Sequence, residues 1–345
     1  MTDLPPDNAL TEAPTPVARP SWRSSLAQVQ NQFPILQTFI LVALVAIASV
    51  TIDGFTQIGS VRSTLLLASI LGVGAVGQTL VVLLGGIDLS VPAIISAANL
   101  FLSELLAKFH WPVVPAIAVI LVLGFAVGAL SGYVSHRFSV QPLIVTLGVG
   151  AVVSGVVIWL TSSSANLPAN PPGWLTNFSS AGGQTFNVGI PPIVIFWVVL
   201  AVVMHLVLRR TVFGRRIYFT GANPVAARLA HVNTLRVWTI TFAVSGAFAA
   251  LTGMILVGFS GSGDPSIGDE YLFTTLAAVI VGGTSFRGAR GSYWHTAMGA
   301  LIVTVLTTIL IGNGLSSAGE QIAYGIVVFL LAGAYGRDRM VRDRI

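Results

Sequence analysis

The sequence predicts an all-α integral membrane protein with about ten transmembrane helices. Of its 345 residues, 54% are hydrophobic and only 8% are charged, and the mean hydropathy is +0.86. A soluble domain carries roughly a quarter charged residues because its surface faces water. Apolar runs of roughly 20 residues, each long enough to cross the hydrocarbon core of a bilayer, recur along most of the chain. Together these observations indicate many spans rather than a single anchor.

Residues 1–30 differ from the remainder of the chain. Five prolines and scattered polar residues predict a disordered tail. The acidic residues Asp3, Asp7 and Glu12 are atypical of a secretory signal peptide. We therefore expect the first apolar run to remain as a span.

Ten spans are predicted between residues 31 and 336, with a short basic tail at 337–345. If the N-terminus is cytoplasmic, 15 of the 17 Lys and Arg residues fall on that side, and only Arg62 and Lys108 fall on the other. Cytoplasmic loops carry such an excess of basic residues. Both termini are therefore expected in the cytoplasm of a bacterium, with the chain in its cytoplasmic (inner) membrane. The predicted spans are 33–52, 64–84, 89–107, 113–134, 142–161, 191–208, 237–258, 272–285, 293–311 and 319–335.

Two glycine-rich segments interrupt this pattern. One runs from Leu83 to Ser90, and the other follows the short apolar run 273–281, at Gly282 and Gly283. Unwound backbone within a membrane protein is tolerated where protein or water satisfies it, which is typical of transport pathways. Tight turns between spans, with glycine at positive φ, are the alternative.

The sequence offers no chemistry for catalysis. Lys108 is the only lysine and follows Ala107, so the chain contains no phosphate-binding loop of the G-x-x-x-x-G-K-[ST] type. There is no cysteine, and the five histidines lack metal-ligand spacing. We expect no catalytic residue, no metal site, no cofactor bound by this chain and no nucleic-acid partner. The scarcity of charges within spans also argues against proton coupling.

The segment 209–236 contains six arginines and no acidic residue. Within it, Asn223 is a good N-cap and Pro224 suits the first helical position. The pattern predicts a helix over 224–231 with Val225, Leu229 and Val232 on one face. A helix this short is marginal alone in water, so it needs a surface to dock against. A basic surface helix that only enforces topology is the alternative.

Four motifs resemble those of the ribose/xylose/arabinose-type permeases of ABC importers and follow one another along the chain in the same order as in that family, over residues 35 to 336. They are the coupling segment Phe213–Leu229, the run Gly85–Val91, the span entry Gln141–Gly148 and the glycine-rich loop Gly282–Ser292. The sequence departs from the family pattern where His231 and Ala289 replace glycine. Because a left-handed position that ends a helix favours glycine, His231 puts the end of the short helix in doubt.

The resemblance implies a transport subunit with several partners. These are an ABC ATPase with two fused cassettes, which would carry ATP and Mg, a periplasmic or extracellular sugar-binding protein, and a second permease copy or paralogue. The outer segment 162–190, with Trp174 in its middle, is the expected contact for the binding protein. The residues expected to couple the subunit to the ATPase are Gly221, Asn223, Pro224, Val225, Ala226, Ala227, Arg228 and Leu229.

An uncharged sugar needs hydroxyl and amide partners, because burying an unpaired hydroxyl costs roughly 1–3 kcal/mol. Polar residues on otherwise apolar helices are therefore candidates for the substrate path, although a serine or threonine in a span more often bonds to its own helix. Asp88 is expected to hold the glycine-rich turn together rather than to touch substrate. The candidates are Gln78, Gly85, Gly86, Asp88, Ser90, Ser96, Asn99, Thr146 and Thr284.

Other functions remain open from the sequence. A branched-chain amino-acid permease shares the Ala-Ala-Arg-Leu region, and a nucleoside permease could use the same scaffold. An ion-coupled secondary transporter or channel would work without an ATPase. Neighbouring genes for a double-cassette ATPase and a secreted binding protein would separate these alternatives.

Overall fold

The computed structural model describes residues 34–160, 167–185 and 189–337. Thirteen helices and one pair of two-residue strands lie within these ranges. The strands are β1 (Leu167–Pro168) and β2 (Ser262–Gly263), which pair antiparallel. The helices are α1 (Ile35–Thr51), α2 (Ile58–Leu83), α3 (Val91–Ala107), α4 (Val113–Arg137), α5 (Pro142–Leu160), α6 (Gly173–Phe178), α7 (Pro192–Arg210), α8 (Val212–Ala222), α9 (Pro224–Leu229), α10 (Thr234–Ser260), α11 (Tyr271–Val281), α12 (Tyr293–Gly312) and α13 (Ser317–Arg337).

Within the described residues, six helices are long and apolar enough to cross a membrane: α2, α4, α5, α7, α10 and α12. Shorter apolar helices cover Ile35–Thr51, Val91–Ala107, Tyr271–Val281 and Ala318–Leu330. The predictions of an all-α chain and of a multi-pass membrane protein are thus confirmed.

Helices α2 and α10 form the centre of the bundle. The most apolar 18-residue stretch of α2 is 89% buried and that of α10 is 72% buried, whereas those of α4 and α5 are only 22% and 17% buried. Helix α10 packs against α2, α3 and α4, and α12 packs against α1, α2 and α11. Because α4 and α5 are apolar yet largely exposed, they form the faces available to lipid or to another subunit.

Glycines allow α4 and α10 to approach closely. A Cβ at Gly128 would overlap the carbonyl of Phe242, and one at Gly246 would overlap the carbonyl of Gly124. Small residues four apart commonly permit such backbone contact between membrane helices. The contact fixes α10 in register, which matters because its polar residues face the functional site.

The predicted boundaries need two corrections. The span predicted over 272–285 ends as a helix at Val281, because the chain turns at Gly283 with φ +93. The basic segment, expected to hold one short helix, also contains α8, whose first turn is capped by the Thr211 hydroxyl accepting from Gly214 N at 3.2 Å.

Candidate coupling element and polar path

We call the end of the bundle that carries Arg137, Arg209, Arg228 and Arg287 the basic end. There, α8 leads through the single residue Asn223 into α9. The Asn223 side-chain oxygen accepts hydrogen bonds from Val225 N and Ala226 N, both at 3.0 Å. Pro224 occupies the first helical position, where its missing N–H leaves no donor unsatisfied. The local sequence therefore starts this helix as predicted.

Helix α9 has one buried face and one exposed apolar face. Ala227 is fully buried, whereas Val225 is 56% exposed and Leu229 is 78% exposed. Arg228 is exposed as well. Two large apolar side chains in water on a six-residue helix are unfavourable unless a partner covers them. The arrangement therefore offers a docking surface that is anchored to the protein through Ala227.

The prediction of a helix over 224–231 with Val232 on the same face as Leu229 was wrong. The helix ends at Leu229, and His231 adopts a left-handed conformation with φ 59. His231 N donates to Arg228 O and Val232 N donates to Ala227 O, both at 3.0 Å, which is the Schellman arrangement that usually has glycine at this position. The reversal turns Val232 inward, where it packs against the core.

The segment before α9 is in backbone contact with two other motifs. A Cβ at Gly221 would overlap the carbonyl oxygen of Leu83, at the end of α2. The same oxygen accepts a hydrogen bond from Ala289 N at 2.8 Å. Ala289 lies in the glycine-rich loop after α11 and has φ 57. Three motifs that are far apart in sequence thus meet at one point at the basic end.

The glycine-rich turn after α2 is built by Gly85. With φ +84, Gly85 terminates the helix, and Gly85 N and Gly86 N donate to Val82 O and Val81 O at 2.9 and 3.0 Å. This again satisfies the last carbonyls of a helix through a left-handed residue. Gly86 packs beside Val81 and close to Pro142. The turn-forming alternative weighed for this motif therefore matches its backbone geometry.

Asp88 is buried, and both oxygens of its carboxylate accept hydrogen bonds from the protein. One oxygen accepts from Ser90 N at 3.0 Å and from Ser90 Oγ at 2.6 Å. The other accepts from Ser245 Oγ of α10 at 2.8 Å. A buried carboxylate is tolerated only when hydrogen-bonded in this way. Asp88 thus joins the start of α3 to α10.

Thr146 links the same turn to α5. Its hydroxyl accepts from Leu89 N at 3.0 Å and donates to Pro142 O at 2.9 Å. Ser90 and Thr146 are both fully buried. The structure therefore brings Gly85, Asp88, Ser90 and Thr146 together, but in a network that holds the turn.

Ser96 and Asn99 lie further along α3, toward the opposite end of the bundle. Ser96 Oγ accepts from Gly268 N at 3.0 Å, and Asn99 Oδ1 accepts from Asp264 N at 2.8 Å. Asn99 Nδ2 also donates to Gly253 O at 3.3 Å. Nine residues of helix separate Ser90 from Asn99, about 13 Å. These two residues hold the connection between α10 and α11 and do not join the Asp88 network.

Gln78 and Thr284 are the predicted path residues whose side-chain polar atoms have no partner among the described residues. Gln78 is fully buried on α2, five residues before that helix ends at Leu83, and neither polar atom of its amide has a hydrogen bond within the described part of the chain. The Thr284 hydroxyl, also buried, has none there either. Buried polar groups are almost always paired. These two are consequently the best placed to bind a polar ligand or water.

Some residues of the site were not anticipated from the sequence. Ser245 lies in an apolar span without any distinguishing pattern. Tyr218 donates from its hydroxyl to Gly291 O at 2.8 Å and so joins α8 to the glycine-rich loop. Burial raises the pKa of Tyr218, and nearby Arg209 partly opposes that rise, so the hydroxyl stays protonated and able to donate. The one available signal for Tyr218 was its place inside the motif Phe213–Leu229.

The outer segment predicted over 162–190 is described only in part, since residues 161–166 and 186–188 lie outside the described ranges. Trp174 sits on α6 and is 54% exposed. Leu175 on the same helix packs under Gly258 of α10. An exposed tryptophan on an anchored helix is a suitable contact for another protein.

Comparison with known proteins shows similarity to transport permeases. Residues 60–332 match the family described as branched-chain amino acid transport system / permease component. The fructose import permease protein of Rhizobium meliloti is 34% identical over 318 residues, covering 90% of this chain and 86% of that protein. The ribose import permease protein of Haemophilus influenzae is 33% identical, covering 84% and 89% respectively. The D-allose transport system permease protein of Escherichia coli is 29% identical, covering 88% and 90%.

No solved structure matches the chain. The match to the family covers well over half of the sequence, and the relatives align along nearly their whole length. The chain therefore belongs to the family of ABC import permeases that includes these ribose and fructose permeases.

Proposed function

We propose that this chain is the transmembrane permease subunit of a binding-protein-dependent ABC importer that carries a monosaccharide, a pentose or hexose, into the cytoplasm. The curated relatives named for ribose, fructose and allose support a sugar as cargo. The observation that carries the proposal is the exposed apolar face of α9, held in backbone contact with the glycine-rich turns of the bundle.

The proposed topology has ten crossing segments with both termini in the cytoplasm of a bacterium. Six long helices and four shorter apolar ones are available to cross the membrane. The arginine asymmetry supports placing the basic end in the cytoplasm. Residues 1–30 and 337–345 would then be cytoplasmic tails around the 31–336 transmembrane domain.

Energy for transport would come from a separate ATPase with two fused cassettes, which binds ATP and Mg. Val225 and Leu229 would enter a cleft of that ATPase. Because Gly221 leaves no gap to the Leu83 carbonyl, a movement of α9 would be transmitted to the end of α2 as a rigid displacement. Alternating access of the bundle would follow from this rocking.

The sugar path would run along the interior of the bundle near Gln78. A buried amide with free donors and acceptors suits a hydroxyl-rich, uncharged cargo. A second permease copy or a paralogue would complete the path, and a sugar-binding protein would dock on the outer segment around Trp174.

The test is reconstitution of the full chain in proteoliposomes with radiolabelled sugar. Alone, the chain should give no concentrative uptake. With a partner ABC ATPase of two fused cassettes, a sugar-binding protein and ATP, uptake should become concentrative. Uphill transport by the isolated subunit would reject the proposal.

The second candidate is a branched-chain amino-acid permease, favoured by the description of the matching family. Ribose, fructose, allose and leucine should be offered to the same proteoliposomes. Uptake of leucine without uptake of any sugar would assign the second function.

A further inference from the structure

An open cavity of about 520 Å³ lies at the basic end, between the end of α7, one face of α8 and the glycine-rich loop. It is separate from the exposed face of α9. Its lining combines two arginines with aromatic and small apolar surface, namely Arg209, Arg215, Tyr218, Phe219 and Ala222. Its volume is in the range of sites for small ligands.

The charge of the cavity is positive and has no acidic counterpart in the same segment. Residues 209–236 hold six arginines and no acid. Arg215 Nη1 donates to Arg210 O at 3.2 Å, and most of the five guanidinium donors have no acceptor among the described residues. A guanidinium pairs best with a carboxylate or a phosphate, through two parallel hydrogen bonds. The charge therefore selects an anion.

An apolar track on α7 leads directly to the cavity. Val199, Val202, Val203 and Leu206 are all 45% or more exposed and lie on one side of the helix. Arg209 follows Leu206 by three residues and continues the same side. Because α7 is long and apolar enough to cross a membrane, this track ends where the hydrocarbon gives way to the headgroups. Such a site can bind an acyl chain and a phosphate simultaneously.

We propose that this cavity binds the headgroup of an anionic phospholipid, with its phosphate on Arg209 and Arg215 and an acyl chain along α7. The proposal rests on the proposed cytoplasmic placement of the basic end, where anionic lipid attracts arginines. Bound lipid fixes the angle between α7 and α8. Since α8 passes into α9 through Asn223 alone, the lipid also sets the position of the coupling helix.

The experiment uses the full chain in nanodiscs of phosphatidylcholine, with or without phosphatidylglycerol. The chain has no cysteine, so Ala222→Cys supplies a single thiol in the cavity for maleimide labelling. Arg209→Gln/Arg215→Gln removes both arginines of the site. Arg210→Gln/Arg216→Gln is the matched control, because it removes the same charge from two exposed neighbours that do not line the cavity.

Phosphatidylglycerol should slow the labelling of Ala222→Cys, and the protection should disappear in the Arg209/Arg215 variant but persist in the control. Native mass spectrometry of the same preparations should show that the Arg209/Arg215 variant binds phosphatidylglycerol about thirtyfold more weakly, as expected for the loss of two arginines near an anionic surface. Only monodisperse preparations that retain the helical circular dichroism of the parent are compared.

Equal lipid binding by the two double variants would overturn the proposal. Labelling that the purified partner ATPase slows and phosphatidylglycerol does not would assign the cavity to a protein contact, and would overturn it as well. Lipid binding is measured without transport, so a failure of the uptake assay would reject the proposed function without deciding whether the cavity binds lipid.

Discussion

Gly221 and Leu83 lie in backbone contact, because a Cβ on Gly221 would overlap the carbonyl oxygen of Leu83. That oxygen also accepts from Ala289 N at 2.8 Å. One carbonyl thus joins the end of α2, the segment before α9 and the glycine-rich loop. In the proposed importer this contact would transmit force between the ATPase and the bundle.

Gly221→Ala should separate the coupling segment from α2. Overpacking against backbone typically costs 1–3 kcal/mol, so we expect a loss of about 2 kcal/mol in the free energy of unfolding. Sugar uptake with the complete importer should fall by more than the loss of folded protein accounts for. Thermal midpoint in detergent and sugar uptake are the measurements.

Gly148→Ala is its control, since a Cβ at Gly148 meets nothing within 4 Å. That substitution lies inside α5 and should stabilise the chain by about 0.5–1 kcal/mol. Similar destabilisation by both variants would argue against a specific contact at Gly221.

Leu229→Asp should uncouple ATP hydrolysis from uptake. It places a charge on the most exposed apolar side chain of α9 and disturbs no packing in the chain, because Leu229 is 78% exposed. Membrane insertion and thermal midpoint should match those of the parent. Sugar uptake and the amount of ATPase that co-purifies should each fall at least about tenfold, as for the loss of an interface anchor. Val212→Asp, on exposed Val212 of α8, is the control, and unchanged uptake by Leu229→Asp would remove the coupling role.

His231→Gly and Ala289→Gly should each stabilise the chain. Both residues have positive φ, at 59 and 57, and both stand where the family pattern has glycine. Left-handed backbone costs a non-glycine residue about 1–2 kcal/mol, so we expect a gain of about 1 kcal/mol from each change. Ala230→Gly, at φ −83, should give no such gain. A lower thermal midpoint for both glycine variants would contradict the assignment.

Ser245→Ala should leave one oxygen of the buried Asp88 carboxylate without its 2.8 Å hydrogen bond. An unsatisfied buried acceptor costs about 1–3 kcal/mol. The control is Ser69→Ala, because the Ser69 hydroxyl donates only to Leu65 O of its own helix and its loss should be nearly neutral. Chemical denaturation in detergent would measure the free energy of unfolding of both variants. Equal losses from Ser245→Ala and Ser69→Ala would contradict the hydrogen bond between Ser245 and Asp88.

Gln78→Leu should preserve or raise stability while it lowers sugar uptake. The parent amide is buried without partners in the described structure, so its removal relieves a desolvation penalty of about 1–3 kcal/mol. Thr79→Val is the neighbouring control. The Thr79 hydroxyl donates to Ala75 O at 2.6 Å and is also hydrogen-bonded to the Thr296 hydroxyl at 3.0 Å, so its loss should destabilise the chain. Full uptake by Gln78→Leu would exclude this residue from the path.

The apolar helices and the start of α9 could be predicted from the sequence because both are local properties. Hydrophobic length, the excess of arginines on one side and the Asn223-Pro224 cap each act over a few residues. The end of that helix could not be predicted, because it depends on His231 accepting a left-handed conformation that its side chain disfavours.

The polar residues of the candidate site were likewise predicted only in part from the sequence. The local sequence singled out Asp88, Ser96 and Asn99 as polar residues in apolar surroundings. Only the tertiary structure decided their partners, since Asp88 meets Ser245 across 157 positions and Asn99 meets Asp264 across 165. Pairings of that range leave no periodic trace in a sequence, because helix packing through glycines, rather than local propensity, determines which faces come together.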